Sequence, residues 1–225
     1  MANPVLPSFR LAASFRQRCF YLLVALLILL AVLPFVHTVS GAALANVLSG
    51  AVVVAATVAA GRSRTALGIA AALAVPTLLF QIVGLAIGDP RFLAVSFVSG
   101  AALYLIAAAY LLRYVLRRDV LTLDKLYGGA ATYLLLGIAW SYLYAILQHL
   151  EPGSFALGGA PANANLRELV YFSFTVLTTT GFGDYAPLHP LARSLVTFEQ
   201  LAGVLYVAIL IARLAGSYSP TEPER

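Results

Sequence analysis

Residues 178–185 read Thr-Thr-Thr-Gly-Phe-Gly-Asp-Tyr. A short segment containing Gly-x-Gly-Asp is, by itself, most often an ordinary turn. Here, however, the segment lies between two long apolar stretches, at about residues 129–149 and 191–214, near the end of a very hydrophobic chain. The interpretation of the motif therefore depends on the character of the chain around it.

The composition of the chain identifies the solvent in which it folds. Of its 225 residues, 61% are hydrophobic and 10% are charged, and the mean hydropathy is +0.91, a balance that soluble domains do not have. About 20 consecutive apolar residues cross the hydrocarbon core of a bilayer. We therefore predict an all-α integral membrane protein with six transmembrane helices, at about residues 19–36, 42–60, 66–88, 92–113, 129–149 and 191–214.

The positive charges are unevenly distributed between the two faces of the predicted membrane domain. Of the 14 Lys and Arg residues, only Arg91, Arg167 and Arg193 fall on one face. Because cytoplasmic loops carry the excess of Lys and Arg, we expect both termini to be cytoplasmic in a multi-pass protein of the cell membrane. This orientation places residues 178–185 outside. The net charge of +5 then reflects membrane topology, and we expect no nucleic-acid partner.

The loop that precedes the motif contains two kinds of segment. Residues 151–164 are rich in Gly, Pro and Ala and are typical of an exposed turret. Asn165 and Glu168 then form a capping-box pattern that predicts a helix of about 12 residues, ending near Thr178. Such a helix spans only about 18 Å, which is too short to cross the membrane. We therefore predict a re-entrant loop, which is tolerated where it is buried in protein or lines a water-filled cavity.

The electrostatics of such a loop favour a cation. The C-terminal end of the short helix carries partial negative charge and would point into the membrane, where a cation is otherwise costly. The extended residues after it can turn their carbonyl oxygens toward an axis, because Gly181 and Gly183 allow backbone angles that other residues resist.

The pattern Thr-x-Gly-Phe-Gly-Asp at residues 179–184 resembles the filter of pore-loop potassium channels, in particular small bacterial ones. The resemblance extends over about residues 120–215. It implies a homotetramer that surrounds one pore, with potassium held by rings of carbonyl oxygens. By resemblance, the ion-coordinating residues are Thr179, Thr180, Gly181, Phe182 and Gly183, and Gly203 would be the gating hinge of the inner helix.

Two residues depart from the commonest pattern of that family. Thr180 replaces Val or Ile, so its added hydroxyl needs a partner behind the filter. Phe182 replaces Tyr, and Phe172 at a neighbouring cuff position also lacks a donor, so neither side is left with an unpaired polar group. We expect an apolar cuff around the filter, in which the Tyr171 hydroxyl holds Asp184; an aromatic at the lipid interface is the alternative for Tyr171.

Two further residues are candidates for a functional role. Glu199 is the one acidic residue inside a predicted span, so it either faces the ion cavity or pairs behind the short helix with Ser173 or Thr175. We favour pairing, because an unpaired buried charge is costly. His189 follows the filter on the outer face and could sense external pH, although an interfacial histidine without a role is the simpler reading.

The first four predicted spans resemble a voltage-sensor module in number only. The fourth, at 92–113, has no basic residue before Arg113, so we predict that it does not sense voltage. We also expect no soluble ligand-binding domain after the last span. The predicted divisions are an N-terminal cytoplasmic segment 1–18, a four-helix domain 19–116, a cytoplasmic linker helix 117–128, a pore domain 129–215 and a short tail 216–225.

These observations predict a potassium-selective channel that conducts passively and has membrane lipid and its own copies as partners. Potassium is expected as the permeant ion and as the metal at the filter, with no cofactor. A weakly selective cation channel is the first alternative, which Thr180 would allow if its hydroxyl disturbs the filter. A secondary transporter with a broken helix is the second. An enzyme has no support from the residue patterns.

Overall fold

A computed structural model describes residues 18–35, 52, 64–87, 89–117 and 122–216. The part described is mostly helical, with three short strands near the filter-like motif at residues 178–185. The elements are α1 (Arg18–Val32), a 3₁₀ turn (Leu33–Phe35), α2 (Arg64–Ile87), α3 (Pro90–Val115), α4 (Leu123–Leu150), β1 (Phe155–Leu157), β2 (Ala160–Ala162), α5 (Leu166–Leu177), β3 (Tyr185–Pro187) and α6 (Pro190–Gly216).

Four of the described segments are long and apolar enough to cross a membrane. They are Arg18–Phe35, α3, α4 and α6. Helix α2 coincides with the third predicted span, and its apolar stretch Ala74–Gly84 is shorter. The second predicted span, residues 42–60, lies outside the described residues apart from Val52. The membrane character is thus supported by four helices, and the count of six stays a prediction.

Helix α4 is the centre of the described bundle, because it packs against α1, α3, α5 and α6. Two of its contacts depend on glycine. A Cβ on Gly100 of α3 would collide with the ring of Tyr142, and a Cβ on Gly137 of α4 would lie 2.7 Å from the Phe174 ring of α5. These small residues let large aromatic rings lie directly against a neighbouring backbone, the usual way in which membrane helices approach closely.

Asp124 joins three helices at one end of the bundle. Its Oδ1 accepts the backbone N–H of Cys19 at the start of α1 (2.9 Å), and its Oδ2 accepts the hydroxyl of Tyr114 near the end of α3 (2.8 Å). The first turn of α1 has N–H groups without intrahelical partners, so the carboxylate satisfies one of them. The start of α1, the end of α3 and the start of α4 therefore lie together.

The end of α6 reaches the same place. The Lys125 ammonium of α4 donates to the Arg117 carbonyl (3.2 Å), and the Arg213 guanidinium of α6 donates to the same oxygen. Arg18, Arg113, Arg117, Lys125 and Arg213 consequently lie at one end of the bundle, whereas Arg91 and Arg193 begin helices at the other. This arrangement agrees with the charge asymmetry of the sequence.

The connection between α3 and α4 differs from the expected linker helix at 117–128. Helix α4 begins at Leu123, with Thr122 as its N-cap accepting the Lys125 N–H, so residues 123–128 form the first turns of α4 itself. Arg117 is not helical, and residues 118–121 lie outside the described part. A threonine at the N-cap starts a helix where its hydroxyl meets an unpaired amide, which explains the earlier beginning.

The turret also differs from the exposed loop that its composition suggested. Strands β1 and β2 form a hairpin, and β1 pairs on its other side with β3 beyond the filter motif. Gly158 and Gly159 make the turn with φ of 59° and 87°, as a tight two-residue hairpin requires. Phe155 anchors the hairpin because its side chain is fully buried. The fold is therefore mostly helical rather than all-α.

Helix α5 confirms the predicted short helix and its capping box. Asn165 Oδ1 accepts the N–H groups of Arg167 (3.1 Å) and Glu168 (3.2 Å), and Glu168 accepts the Asn165 N–H in return (2.7 Å). The helix has 12 residues and ends at Leu177, immediately before the filter motif. It packs against both α4 and α6.

Candidate functional site

The backbone of residues 179–183 has an alternating conformation. Thr179, Gly181 and Gly183 have φ of 59°, 56° and 78°, whereas Thr180 and Phe182 between them do not have positive φ. In an ordinary strand successive carbonyls point to opposite sides, but a left-handed backbone at every second residue turns them toward the same side. The segment can therefore present a row of carbonyl oxygens along one face.

Thr179 is the notable member of this row, because a β-branched residue rarely adopts positive φ. Such a conformation costs about 1–3 kcal/mol and persists only where the surroundings enforce it, most often at functional sites. Sequence reasoning named Thr179 as an ion ligand but expected a left-handed backbone only at the two glycines. Its side chain offers no local signal for a left-handed backbone, so only the fold could reveal it.

The amide groups of the segment point back toward helix α5. The N–H groups of Thr180 and Gly181 both donate to the Thr175 carbonyl, at 2.9 and 3.0 Å, and the Thr179 N–H donates to Val176 (2.9 Å). These three bonds use carbonyls in the last turn of α5, which the helix itself leaves unpaired. The segment is thereby attached to the end of α5 through its amides.

The hydroxyl that Thr180 adds to the family pattern has a partner. Thr178 Oγ1 donates to the Phe174 carbonyl at 2.6 Å and lies 2.8 Å from Thr180 Oγ1. Because Thr178 has one hydroxyl proton and gives it to Phe174, Thr180 is the donor in the second contact. The Thr180 side chain is therefore engaged within its own chain.

Tyr171 lies beside the filter segment. Its ring is stacked with that of Phe182, with centroids 6.4 Å apart and planes at 2°. A hydrogen bond to the Asp184 side chain raises the pKa of the Tyr171 hydroxyl above its usual value. Tyr171 thus contacts both the aromatic residue and the acidic residue of the motif.

Phe172 lies on a different face of α5. It is 3% exposed and packs against Tyr144 of α4 (centroids 5.4 Å apart) and Phe155 of β1 (5.5 Å). Successive residues of a helix project about 100° apart, so Tyr171 and Phe172 have different neighbours. The structure brings Tyr171 to the filter and places Phe172 in a buried aromatic cluster with the turret hairpin.

The outer end of the motif is tied to the turret. The Gly158 N–H at the hairpin turn donates to the Asp184 carbonyl (2.9 Å), and Asp184 Oδ1 accepts the Tyr185 N–H (3.0 Å). His189 lies further along, where its amide donates to the Ser154 carbonyl (3.2 Å) and its Nδ1 accepts the Leu191 N–H (3.3 Å). His189 is therefore a contact at the start of α6, and its sensing of pH stays a prediction.

Glu199 of α6 lies in a buried polar contact behind α5. Its side chain is fully buried; Tyr144 of α4 donates to Oε2, and Ser173 Oγ of α5 is 2.5 Å from Oε1. Thr175, the other candidate, donates instead to the Phe172 carbonyl (2.8 Å). Sequence reasoning missed Tyr144. The signal available was a tyrosine within an apolar span, because a buried tyrosine hydroxyl usually has a polar partner.

Gly203 lies where α6 crosses the end of α5. A Cβ at this position would collide with the Leu177 carbonyl oxygen and lie 3.1 Å from Leu177 Cδ1. The same oxygen accepts the Tyr133 hydroxyl of α4 (2.8 Å). Helix α6 runs through Gly203 without a break. The glycine is thus needed for close packing, and its role as a hinge stays a prediction.

Comparison with known proteins shows that this region is similar to ion channels. Residues 130–218, from within α4 to beyond the end of α6, match the family model described as "Ion channel". A 78-residue part of the chain is 31% identical to the inward rectifier potassium channel Kirbac3.1 of Paramagnetospirillum magnetotacticum. That match covers 35% of this chain and 23% of the relative, so the chain spans about a quarter of the protein it matches. No solved structure matches the chain.

These similarities and the four apolar helices support a membrane protein of the ion-channel class. They favour a channel over an enzyme, and the relative is a potassium channel. The family match covers most of α4, the turret hairpin, α5, residues 178–185 and α6.

Proposed function

We propose that the protein is a potassium-selective channel in which four copies of the chain surround one pore and ions pass down their gradient. The observation that carries the proposal is the alternating backbone of residues 179–183 at the end of α5. Carbonyl oxygens directed to one side can replace the hydration shell of potassium, as in the filters of known potassium channels. Thr179, Thr180, Gly181, Phe182 and Gly183 would supply these oxygens, with the Thr179 hydroxyl as the innermost ligand.

The position of the segment in the single chain supports assembly around an axis. All residues from Thr178 to Asp184 are exposed in one copy, and Phe182 is 70% exposed. A row of carbonyls from one chain can surround only part of an ion, so the proposed site is complete only with further copies. The end of α5 then directs its partial negative charge toward the same axis, which lowers the cost of holding a dehydrated cation.

The proposed orientation follows from the cationic end of the bundle. Arg18, Lys125 and Arg213 would face the cytoplasm of the cell, and the turret hairpin would face outward. Helix α5 would then be the re-entrant pore helix and α6 the inner helix. Helix α3, which corresponds to the fourth predicted span, has no basic residue between Arg91 and Arg113. We therefore propose that the channel is not gated by movement of a charged helix at this position.

The test is the reversal potential of the purified protein in planar bilayers, with potassium on one side balanced by sodium on the other. Wild-type currents should reverse near the potassium equilibrium potential, and Gly181→Ala should abolish this selectivity. Gly158→Ala is the matched control, because Gly158 also has positive φ (59° against 56°) and both glycines have open space around an added Cβ. Both variants therefore carry the same backbone strain of about 1–2 kcal/mol.

Selectivity lost in Gly181→Ala and kept in Gly158→Ala would support a filter at this segment. Reversal near zero in the wild type would contradict potassium selectivity and favour the weakly selective cation channel. Currents that depend on a coupled ion gradient, rather than on the potassium gradient alone, would favour a transporter.

A further inference from the structure

The buried contact of Glu199 contains more acceptors than donors if the carboxyl group is ionised. Ser173 Oγ lies 2.7 Å from the Gly137 carbonyl of α4 and 2.5 Å from Glu199 Oε1, both within hydrogen-bond distance. A backbone carbonyl can only accept, and a serine hydroxyl has a single proton to donate. An ionised Glu199 could only accept as well. One of the two short oxygen–oxygen contacts would then have no proton between its atoms.

A neutral Glu199 satisfies every atom of the contact. Ser173 donates its proton to the Gly137 carbonyl and accepts a proton from Glu199 Oε1. The other carboxyl oxygen, Oε2, accepts the Tyr144 hydroxyl. The chain of donors then runs from α6 through Ser173 of α5 to the backbone of α4, and each short contact contains one proton.

The surroundings also disfavour an ionised carboxylate. Glu199, Ser173 and Tyr144 are all fully buried. Among the described residues, the groups that interact with the carboxyl are these two hydroxyls and no cation. Among the described residues, Tyr133 of α4 is a further titratable group close enough to interact with Glu199, and its hydroxyl donates to the Leu177 carbonyl. A buried carboxylate without a cationic partner is very costly, so the neutral acid is the more stable form.

We propose that Glu199 is held as a neutral carboxylic acid whose proton is donated to Ser173, and that it is thereby a positioning residue joining α4, α5 and α6. The inference goes beyond ion conduction, because it concerns the protonation state of a group that would not touch the ion. Its consequence is mechanical. Helix α5 is held from both sides four residues before its last residue, so the position of the filter segment depends on one proton.

The proposal predicts different outcomes for two substitutions of Glu199, one of nearly equal size and one that removes the side chain. In Glu199→Gln the amide oxygen can accept the Tyr144 hydroxyl while the amide nitrogen donates to Ser173, which reproduces the neutral acid. If Glu199 were ionised, the Ser173 hydroxyl would turn to the Gly137 carbonyl in Glu199→Gln, and the loss of an uncompensated buried charge should raise the unfolding temperature clearly above that of the wild type. Glu199→Ala removes the connection in either case. Glu151→Gln, at the exposed end of α4, is the matched control for loss of one carboxyl group.

The first measurement is infrared difference spectroscopy of the purified full chain at neutral pH in a detergent without carbonyl groups. The wild type and Glu151→Gln should show the stretching band of a protonated carboxyl group, and Glu199→Gln should lack it. In Ser173→Ala the band should remain and move to higher frequency, because the acid loses its acceptor. Absence of the band in the wild type, or its persistence in Glu199→Gln, would overturn the proposal.

The second measurement is the thermal unfolding of the same proteins. Glu199→Gln should unfold within the range spanned by the wild type and Glu151→Gln, and Glu199→Ala should unfold at a clearly lower temperature. A Glu199→Gln protein as unstable as Glu199→Ala would contradict a neutral Glu199. Neither readout requires ion conduction, so failure here would leave the channel proposal intact, and failure of conduction would leave this inference intact.

Discussion

At the scale of single residues, the contact of Tyr171 with Asp184 predicts a dependence on alkaline pH. Since the hydrogen bond raises the pKa of Tyr171 above the ordinary value of about 10, its stabilising effect is complete below that value. The effect is lost as pH rises through the raised pKa, when two negative charges face each other. We expect the proposed tetramer to melt at a lower temperature above about pH 10. Tyr171→Phe should show less of this decline.

The control for that experiment is Tyr185→Phe, which retains the contact of Tyr171 with Asp184. Burial raises the pKa of Tyr185 most, followed by Glu168 and then by Asp184 and Tyr171, so the main causes differ from that for Tyr171. The alkaline decline should persist in the control. An equal decline in Tyr171→Phe and in the wild type would show that Tyr171 does not hold Asp184.

Thr180 leads to a prediction about selectivity. Its hydroxyl donates to Thr178, so Thr180→Val should remove one hydrogen bond, worth about 1 kcal/mol of stability, and leave the potassium-to-sodium permeability ratio nearly unchanged. The ratio follows from the reversal potential under mixed ions. Thr178→Val is the comparison, and it should be more destabilising because Thr178 also bonds the Phe174 carbonyl. A large gain of selectivity in Thr180→Val would favour the weakly selective channel.

At the scale of elements, Gly203 could serve either close packing against α5 or bending of α6. The sign of the stability change in Gly203→Ala distinguishes these two roles. Alanine is the better helix former by about 1 kcal/mol, so Gly203→Ala would stabilise α6 if the glycine served bending alone. Since the added Cβ would collide with the Leu177 carbonyl, we expect a loss of about 1–3 kcal/mol instead. Chemical unfolding in detergent measures the difference.

Gly216 at the end of α6 provides the matched control for that substitution. A Cβ there would have no atom within 4 Å, so Gly216→Ala tests helix propensity without a collision. It should be neutral or slightly stabilising. A Gly203→Ala protein that is at least as stable as Gly216→Ala would leave bending as the reason for the glycine.

The turret hairpin is a second element with a testable role. Phe155 is fully buried between Tyr144 and Phe172, so Phe155→Ala should cost about 3–5 kcal/mol of unfolding free energy. Leu157 on the same strand is 46% exposed, so Leu157→Ala should cost much less. Because β1 also pairs with β3, we expect Phe155→Ala to reduce the selectivity of conduction as well. Equal stability of the two variants would contradict the anchoring role of Phe155, and unchanged selectivity in Phe155→Ala would show that the hairpin does not support the filter.

At the scale of the whole molecule, the proposed tetramer should depend on potassium. A ligand that binds only the assembled filter stabilises it by mass action, by about 2.7 kcal/mol at a hundred times its dissociation constant. Replacing potassium with a large organic cation should therefore lower the melting temperature of the oligomer, as gel electrophoresis after heating would detect. Gly181→Ala should lose this dependence and Gly158→Ala should keep it. An oligomer of another size, or one indifferent to potassium, would contradict the proposal.

Much of this protein could be predicted from local sequence, because the physical causes are local. Apolar stretches of membrane length, the Asn165 and Glu168 capping box, and the unequal distribution of Lys and Arg each depend on residues close together in the chain. The two glycines of the filter motif indicated where the backbone would depart from ordinary angles. The sequence by itself therefore determined the membrane character, the short helix and the position of the candidate site.

Other features were decided only by the tertiary structure, because they join residues that are far apart in the chain. Tyr144 and Glu199 meet across 55 residues, and β1 pairs with β3 across the whole of α5. The buried position of Phe172 depends on which face of α5 is covered by α4. The left-handed backbone of Thr179 depends on the hydrogen bonds that the end of α5 makes with the amides of residues 179–181. Such contacts arise from packing geometry, which no local pattern of residues encodes.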